Sequence, residues 1–418
     1  MQASATPRHP ALNYLPALLI TLVTLLPVGV VLSSLLQPAG DVWQHLLDNL
    51  LLELTLNTLW LMLGVGAGSA ILGVSLAWLT AACHFPGRRF FSWAMMLPLA
   101  MPTYVLAFTL IGLLEFTGPL QTWLRGFGDI GGFPNIRSRG GVILVMSLAL
   151  YPYVYLLCRN AFLTQGRRLL EVAQSLGYSP RRGFWQLALP MARPWIVGGV
   201  SLVLMETLAD FGTVATFNYD TFTTGIYKAW YAMFSLPAAS QLASLLLLLA
   251  LGLMLAELRL RRGRQYNAAG RGDPALPLLL TGWRAWLASA WCVLILSTAF
   301  LIPLAQLLIW AWQVAATDLD QRYLYFVGHS LLLAGLAALL ITAASLVLAY
   351  LARNNRHWGM QLLTRLATLG YAVPGAVLAV GAFIPVAWRD NLLIDSLRPW
   401  LSNTPTQLIK GPLFAMLV

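Results

Sequence analysis

A chain of 418 residues that is 59% hydrophobic and only 10% charged departs from soluble globular proteins, in which about a quarter of residues are charged. Its mean hydropathy is +0.72 and the apolar residues come in long blocks, the signature of membrane-spanning helices. The net charge of +11 would fit a nucleic-acid binder, but the placement of the basic residues excludes that reading, as shown below.

The first apolar block, about Ala11 to Leu36, is too long for a signal-peptide core and no small-residue cleavage site follows it. It is read as a retained span. Further spans are predicted at about 54–82, 91–115, 141–160, 194–216, 238–258, 285–313, 328–352 and 362–388, with another opening at about 411. With the N-terminus inside, 18 of the 26 Lys and Arg fall on the cytoplasmic side and 8 outside. That asymmetry is the positive-inside rule, so the basic charge is a topology signal. Cys83, Cys158 and Cys292 show no metal-ligand spacing and no disulfide framework.

Within the second span, Gly64 and Gly68 form a G-x-x-x-G pattern, expected to mark close helix packing. Tyr151, Tyr153 and Tyr155 alternate in the fourth span. Their spacing does not put all three on one helical face, which favours packing or interface anchoring over a ligand set.

After the fourth span comes a basic loop with Glu171-Val-Ala-Gln-Ser-Leu-Gly177, then Leu189-Pro190. Leu169 to Leu176 are good helix formers, and Gly177 can end that helix with a left-handed backbone. Ser179-Pro180 reads as a cap followed by Pro at the first helical position, predicting a second short helix from Pro180 to Leu189 that stops at Pro190. The alternative is an amphipathic connector with Phe184, Trp185 and Leu187 in the lipid interface.

The spacing of Glu171, Ala173, Gly177, Leu189 and Pro190 resembles the EAA loop of ABC-importer permeases, with Val172 in place of an Ala and Leu187 in place of an Ile. The resemblance implies an all-α polytopic membrane protein of the ABC type I importer permease fold. It implies that the loop docks on a separate cytoplasmic ATPase, two copies of which hydrolyse the ATP. A periplasmic binding protein would deliver the solute. The chain would bind no cofactor or metal of its own and would not be an enzyme. It carries no G-x-x-x-x-G-K-[ST] and no nucleophile elbow.

The fifth span contains Glu206 and Asp210, four apart and therefore expected on one helix face. Carboxylates in hydrocarbon are costly unless they face water or a partner, which makes the pair a candidate translocation path favouring a cation. Interhelical hydrogen bonding of Glu206, with Asp210 at the outer interface, is equally open. The stretch Leu204 to Phe217, with two fused halves, resembles the ferric-iron permeases of bacteria. Thiamine permeases share the fused design, and sulfate is a further alternative. An ion-driven secondary transporter using Glu206 and Asp210 as cation sites is the competing class.

Leu76-Ala77-Trp78-Leu79 recurs as Leu348-Ala349-Tyr350-Leu351, and Pro102 with Val105-Leu106-Ala107 recurs as Pro374 with Val377-Leu378-Ala379, both at an offset of 272. A common offset across two spans predicts a tandem parallel repeat of about six helices per half. Residues 1–265 form the first half, 266–283 a cytoplasmic linker and 284–418 an incomplete second half. A second loop is expected from about residue 443, in a chain of about 544 residues.

The orientation is checked by thiol labelling. In a background lacking native Cys, Arg181→Cys should resist an impermeant maleimide added to sealed cells and react after permeabilisation. Ready labelling from outside would invert the topology.

Overall fold

The computed structural model describes residues 10–37, 40–126, 135–166, 177–261, 278–355 and 357–397. Among them, nine helical segments are long and apolar enough to cross a membrane. The principal helices are α1 (Pro10–Ser33), α2 (Leu51–Ala82), α3 (Thr103–Leu114), α4 (Arg139–Ala161) and α5 (Leu189–Ala209). They continue with α6 (Leu236–Arg261), α7 (Trp283–Ala315), α8 (Gln321–Asn354) and α9 (Gly375–Leu397). One detail departs from an all-helical chain. Cys83 and His84 pair in parallel with Leu278 and Leu279, tying the start of α7 to the turn after α2. Cys83 is buried there, which pushes its thiol up to about 11.

Nine of the predicted spans are present in the predicted order, while the one expected to open at about 411 lies outside the described residues; three of the nine are built differently. The third, expected as one helix over 91–115, is the helix Arg88–Ala94, a tight turn Leu97–Ala100 and then α3. Pro98 and Pro102 cannot donate to a helical ladder, so the helix stops and restarts. The ninth is broken in the same way, into Trp358–Thr368, Leu369–Ala372 and α9, with Pro374 before the restart. The two tight turns are 272 residues apart, as are the starts of α3 and α9 and the ends of α2 and α8. The spacing seen in the sequence therefore recurs in the element boundaries.

The third difference concerns Pro190. The expected stop there is absent. The short helix Pro180–Gly183 runs through Phe184–Ala188 directly into α5. Phe184–Ala188 is a widened turn, in which the Leu189 N–H bonds to the Phe184 carbonyl five residues back. Widening relieves the clash between a proline ring and the carbonyl four residues before it. The same device precedes Pro303 in α7, where the Ile302 N–H bonds to the Ser297 carbonyl.

The chain divides into two compact units. One comprises Met1–Gln44, Ile226–Leu248 and Trp312–Val418; the other His45–Gly225 and Leu249–Ala311. The first helix of each expected half is thus grouped with the other half. In the first unit, α1 packs on α8, α9 and the helix Trp358–Thr368. Thr21 donates to the Leu363 carbonyl (3.2 Å), and Ser244 donates to the Val31 carbonyl (2.6 Å). Gly381 passes directly against the Pro27 backbone.

In the second unit, α2 packs along α4, and α5 packs on both. Gly64 faces Ile143 and Gly68 faces Ser147, so the G-x-x-x-G pattern is a packing face as predicted. A Cβ added at Gly73 would lie 2.6 Å from the Val154 Cβ, and one at Gly199 would lie 2.8 Å from the Val154 Cα. Val154 is therefore held between two glycines on different helices. From α7, Ser289 donates to the Pro86 carbonyl (2.8 Å) and the Trp310 ring stacks edge-on to Phe108 at 5.5 Å.

Overpacking a tight helix junction costs about 1–3 kcal/mol. Gly73→Val and Gly199→Val should therefore each lower the thermal midpoint of the detergent-solubilised protein. Gly252→Ala, where among the described residues no atom lies within 4 Å of the added Cβ, should leave it unchanged. Equal stability of all three variants would count against this packing.

Candidate functional site

The loop expected to carry the motif leaves α4 through another widened turn, Phe162–Gly166. Glu171 and Ala173 lie outside the described residues. The chain is described again from Gly177, whose φ is +76°. Glycine is suited to that left-handed backbone, and among the described residues no atom lies within 4 Å of where its Cβ would be. The joint is set by backbone conformation rather than by close packing. Ser179 caps the helix that follows, with its carbonyl accepting from the Gly183 N–H (2.9 Å) and its hydroxyl accepting from the Arg182 N–H (3.4 Å). Arg182 lies over the Tyr178 ring at 5.6 Å, and the Trp185 side chain is exposed. Leu189 and Pro190 are half-buried at the start of α5.

Both feet of the loop touch one residue. The Trp78 ring on α2 packs against Phe162 (5.3 Å between centroids, 85°) and Phe184 (4.6 Å, 57°). Sequence reasoning singled out Trp78 only as part of the repeat. Two phenylalanines 22 positions apart, each opening a widened turn, would have been the signal.

The acids of the fifth span do not share a helix face. α5 ends at Ala209, and Asp210 has an extended backbone (φ −68°, ψ 125°). Its carboxylate caps the next short helix, Gly212–Thr216. Oδ1 accepts from the backbone N–H groups of Thr213 (2.9 Å) and Val214 (3.2 Å), and Oδ2 from the hydroxyls of Thr213 (2.9 Å) and Thr103 (2.7 Å). A carboxylate offers about four acceptor positions, so this one is fully used. The Asp-x-x-Thr spacing of 210 and 213 is a capping pattern that a continuous-span reading hides. The Thr103 bond also ties the restart of the broken third span to the end of α5.

Glu206 remains within α5, half-buried, with the Tyr153 side chain beside its carboxylate. Tyr151 and Tyr155 are fully buried. Tyr151 donates to the Met95 Sδ (3.6 Å), and Tyr155 donates to the Ser92 carbonyl (2.9 Å) and meets the Thr80 hydroxyl at 3.1 Å. The three tyrosines thus divide between packing and one polar pair. Among the described residues, no group of three or more His, Cys, Asp or Glu is placed to hold a metal ion.

Residues 69–262 match the family described as binding-protein-dependent transport system inner membrane component, whose fold is that of the ABC type I permeases. The chain is 30% identical over 348 residues to the Fe(3+)-transport system permease protein FbpB 2 of Haemophilus influenzae, covering 81% of this chain and 65% of that protein. It is 27% identical over 243 residues to the sulfate transport system permease protein CysT of Escherichia coli (57% and 86%). It is also 29% identical over 210 residues to the molybdenum transport system permease protein ModB of Haemophilus influenzae (49% and 90%). The chain therefore spans less than two-thirds of the ferric relative's length. These relatives are transport permeases, not enzymes.

Losing a carboxylate cap costs about 0.5–2 kcal/mol. Asp210→Ala should destabilise the solubilised protein by that order, and Asp210→Asn, which keeps one acceptor oxygen, by less. A thermal midpoint unchanged in Asp210→Ala would contradict the capping role.

Proposed function

We propose that the chain belongs to the family of inner membrane components of binding-protein-dependent transport systems, and on that footing that it is the membrane subunit of an ATP-binding-cassette importer. In this reading the N-terminus is cytoplasmic and 171–190 is the loop that docks on the ATPase. Two ATPase subunits draw together on binding ATP, and the loop carries that motion to the helices. The solute arrives on a periplasmic binding protein, and the helices alternate between outside-open and inside-open states. This chain holds no cofactor; ATP is hydrolysed by its partners.

The observation that carries the reading is the left-handed joint at Gly177. It lies at the glycine position of the motif, before a helix that continues into α5. Glu171 would act at the ATPase interface, and Leu189 and Pro190 would pass the displacement into the membrane.

For the solute we propose ferric iron. Two things support it: the ferric transport named for the relative aligned over most of this chain, and the Tyr153–Glu206 pair. A carboxylate inside a span attracts cations and repels oxyanions, and phenol and carboxylate oxygens are hard donors that suit a small, highly charged metal ion. On this reading Glu206 borders the path, and Asp210 holds the path's outer end in shape. A sulfate or molybdate permease is the second reading, favoured by the names of two other relatives.

The test uses the assembled transporter in proteoliposomes, with ferric-loaded binding protein outside and ATP inside. Gly177→Pro removes the positive-φ option at the joint. It should reduce uptake at least tenfold while the protein still inserts, and Glu171→Ala should act more mildly. Glu206→Gln should lower iron uptake severalfold with ATPase assembly intact. Native transport in Gly177→Pro would reject the coupling loop. Uptake of sulfate or molybdate in place of iron would reject the ferric reading.

A further inference from the structure

We infer that Trp78 is the positioning residue through which the loop moves the membrane helices. The inference rests on the reading of 171–190 as the coupling loop. The chain enters the loop through the widened turn Phe162–Gly166 and leaves it through Phe184–Ala188. Each turn opens with a phenylalanine, and both rings meet the Trp78 indole. Phe162 is 1% exposed, so its contact is made inside the unit rather than at its surface. Such turns interrupt a helical ladder locally and recur at functional places in helices.

On its other side, Trp78 belongs to the last turns of α2, which ends at Ala82. That end is bound to its neighbours by hydrogen bonds. The Thr80 hydroxyl meets the Tyr155 hydroxyl of α4 at 3.1 Å, and Tyr155 donates to the Ser92 carbonyl at 2.9 Å. Arg88 donates through Nε to the Thr80 carbonyl (2.9 Å) and through Nη2 to the Ala81 carbonyl (3.0 Å). A displacement of either foot of the loop changes a ring contact on Trp78. The end of α2 then passes it to α4 and to the helix Arg88–Ala94. Aromatic pairs have preferred edge and offset geometries, so the indole resists sliding in a way an aliphatic side chain of similar bulk does not.

The experiment follows helix motion directly and does not depend on the solute. Spin labels are placed on a pair of exposed positions, Leu52 on α2 and Leu346 on α8, in the complete complex with its ATPase in nanodiscs. Distance distributions are recorded with and without ATP. Trp78→Ala and Trp78→Leu should lose at least half of the ATP-driven shift, with nucleotide binding and subunit assembly retained. Trp78→Phe should keep most of it. If Trp78→Ala does not assemble, the leucine and phenylalanine variants decide. Equal shifts in those two, at any level, would overturn the inference, as would a native shift in Trp78→Leu. If the parent complex shows no ATP-driven shift, or Gly177→Pro shifts as the parent does, the coupling-loop reading itself fails. If only Gly177→Pro loses the shift, Trp78 alone is dismissed.

Discussion

A backbone that crosses hydrocarbon has no water to satisfy its N–H and C=O groups, so every interruption of a helix must be repaired locally. This chain places prolines in or beside most of its spans, and the repairs account for several of its irregular features. Before Pro190 and Pro303 the helix widens by one residue and continues. At Pro98 and Pro102 it stops, makes one tight turn and restarts as α3. At the end of α5 the repair is a side chain: Asp210 satisfies the first N–H groups of the next helix and also reaches Thr103. An acid that looks like a solute ligand in the sequence is thus spent on the backbone.

The same constraint explains which parts of the molecule were legible from residues alone. Span number, order and the 272-residue spacing depend on long apolar blocks, and these survive any local rearrangement. The glycine face at 64 and 68 was legible because small residues admit a neighbouring helix, and they do so at Ile143 and Ser147. The left-handed joint at Gly177 was legible because glycine most readily takes that backbone. The helix stop at Pro190 was misjudged, since a proline reads the same whether it ends a helix or follows a widened turn. The shared face of Glu206 and Asp210 failed for a related reason, because hydropathy does not fall where α5 ends. Pairings such as Trp78 with Phe162 and Phe184 join residues over 80 positions apart, and no local pattern encodes them.

On the proposed coupling role, the packing of the described residues at 162–166 and 177–190 has a mechanical logic. A connector that transmits force needs firm attachment at its ends and freedom at its joint. The attachments are Phe162 and Phe184 against one indole. The joint is Gly177, where no atom of the described residues lies within 4 Å of the Cβ position. Were Gly177 packed as tightly as Gly73 or Gly199, the loop could not reorient against a partner. Were the feet as open as the joint, a partner's motion would be absorbed before it reached α2. Glycine therefore serves two opposite purposes in this chain, close approach in the helix junctions and conformational freedom at the loop. What separates them is the neighbouring atoms: Val154 lies against Gly73 and Gly199, and no atom of the described residues lies against Gly177.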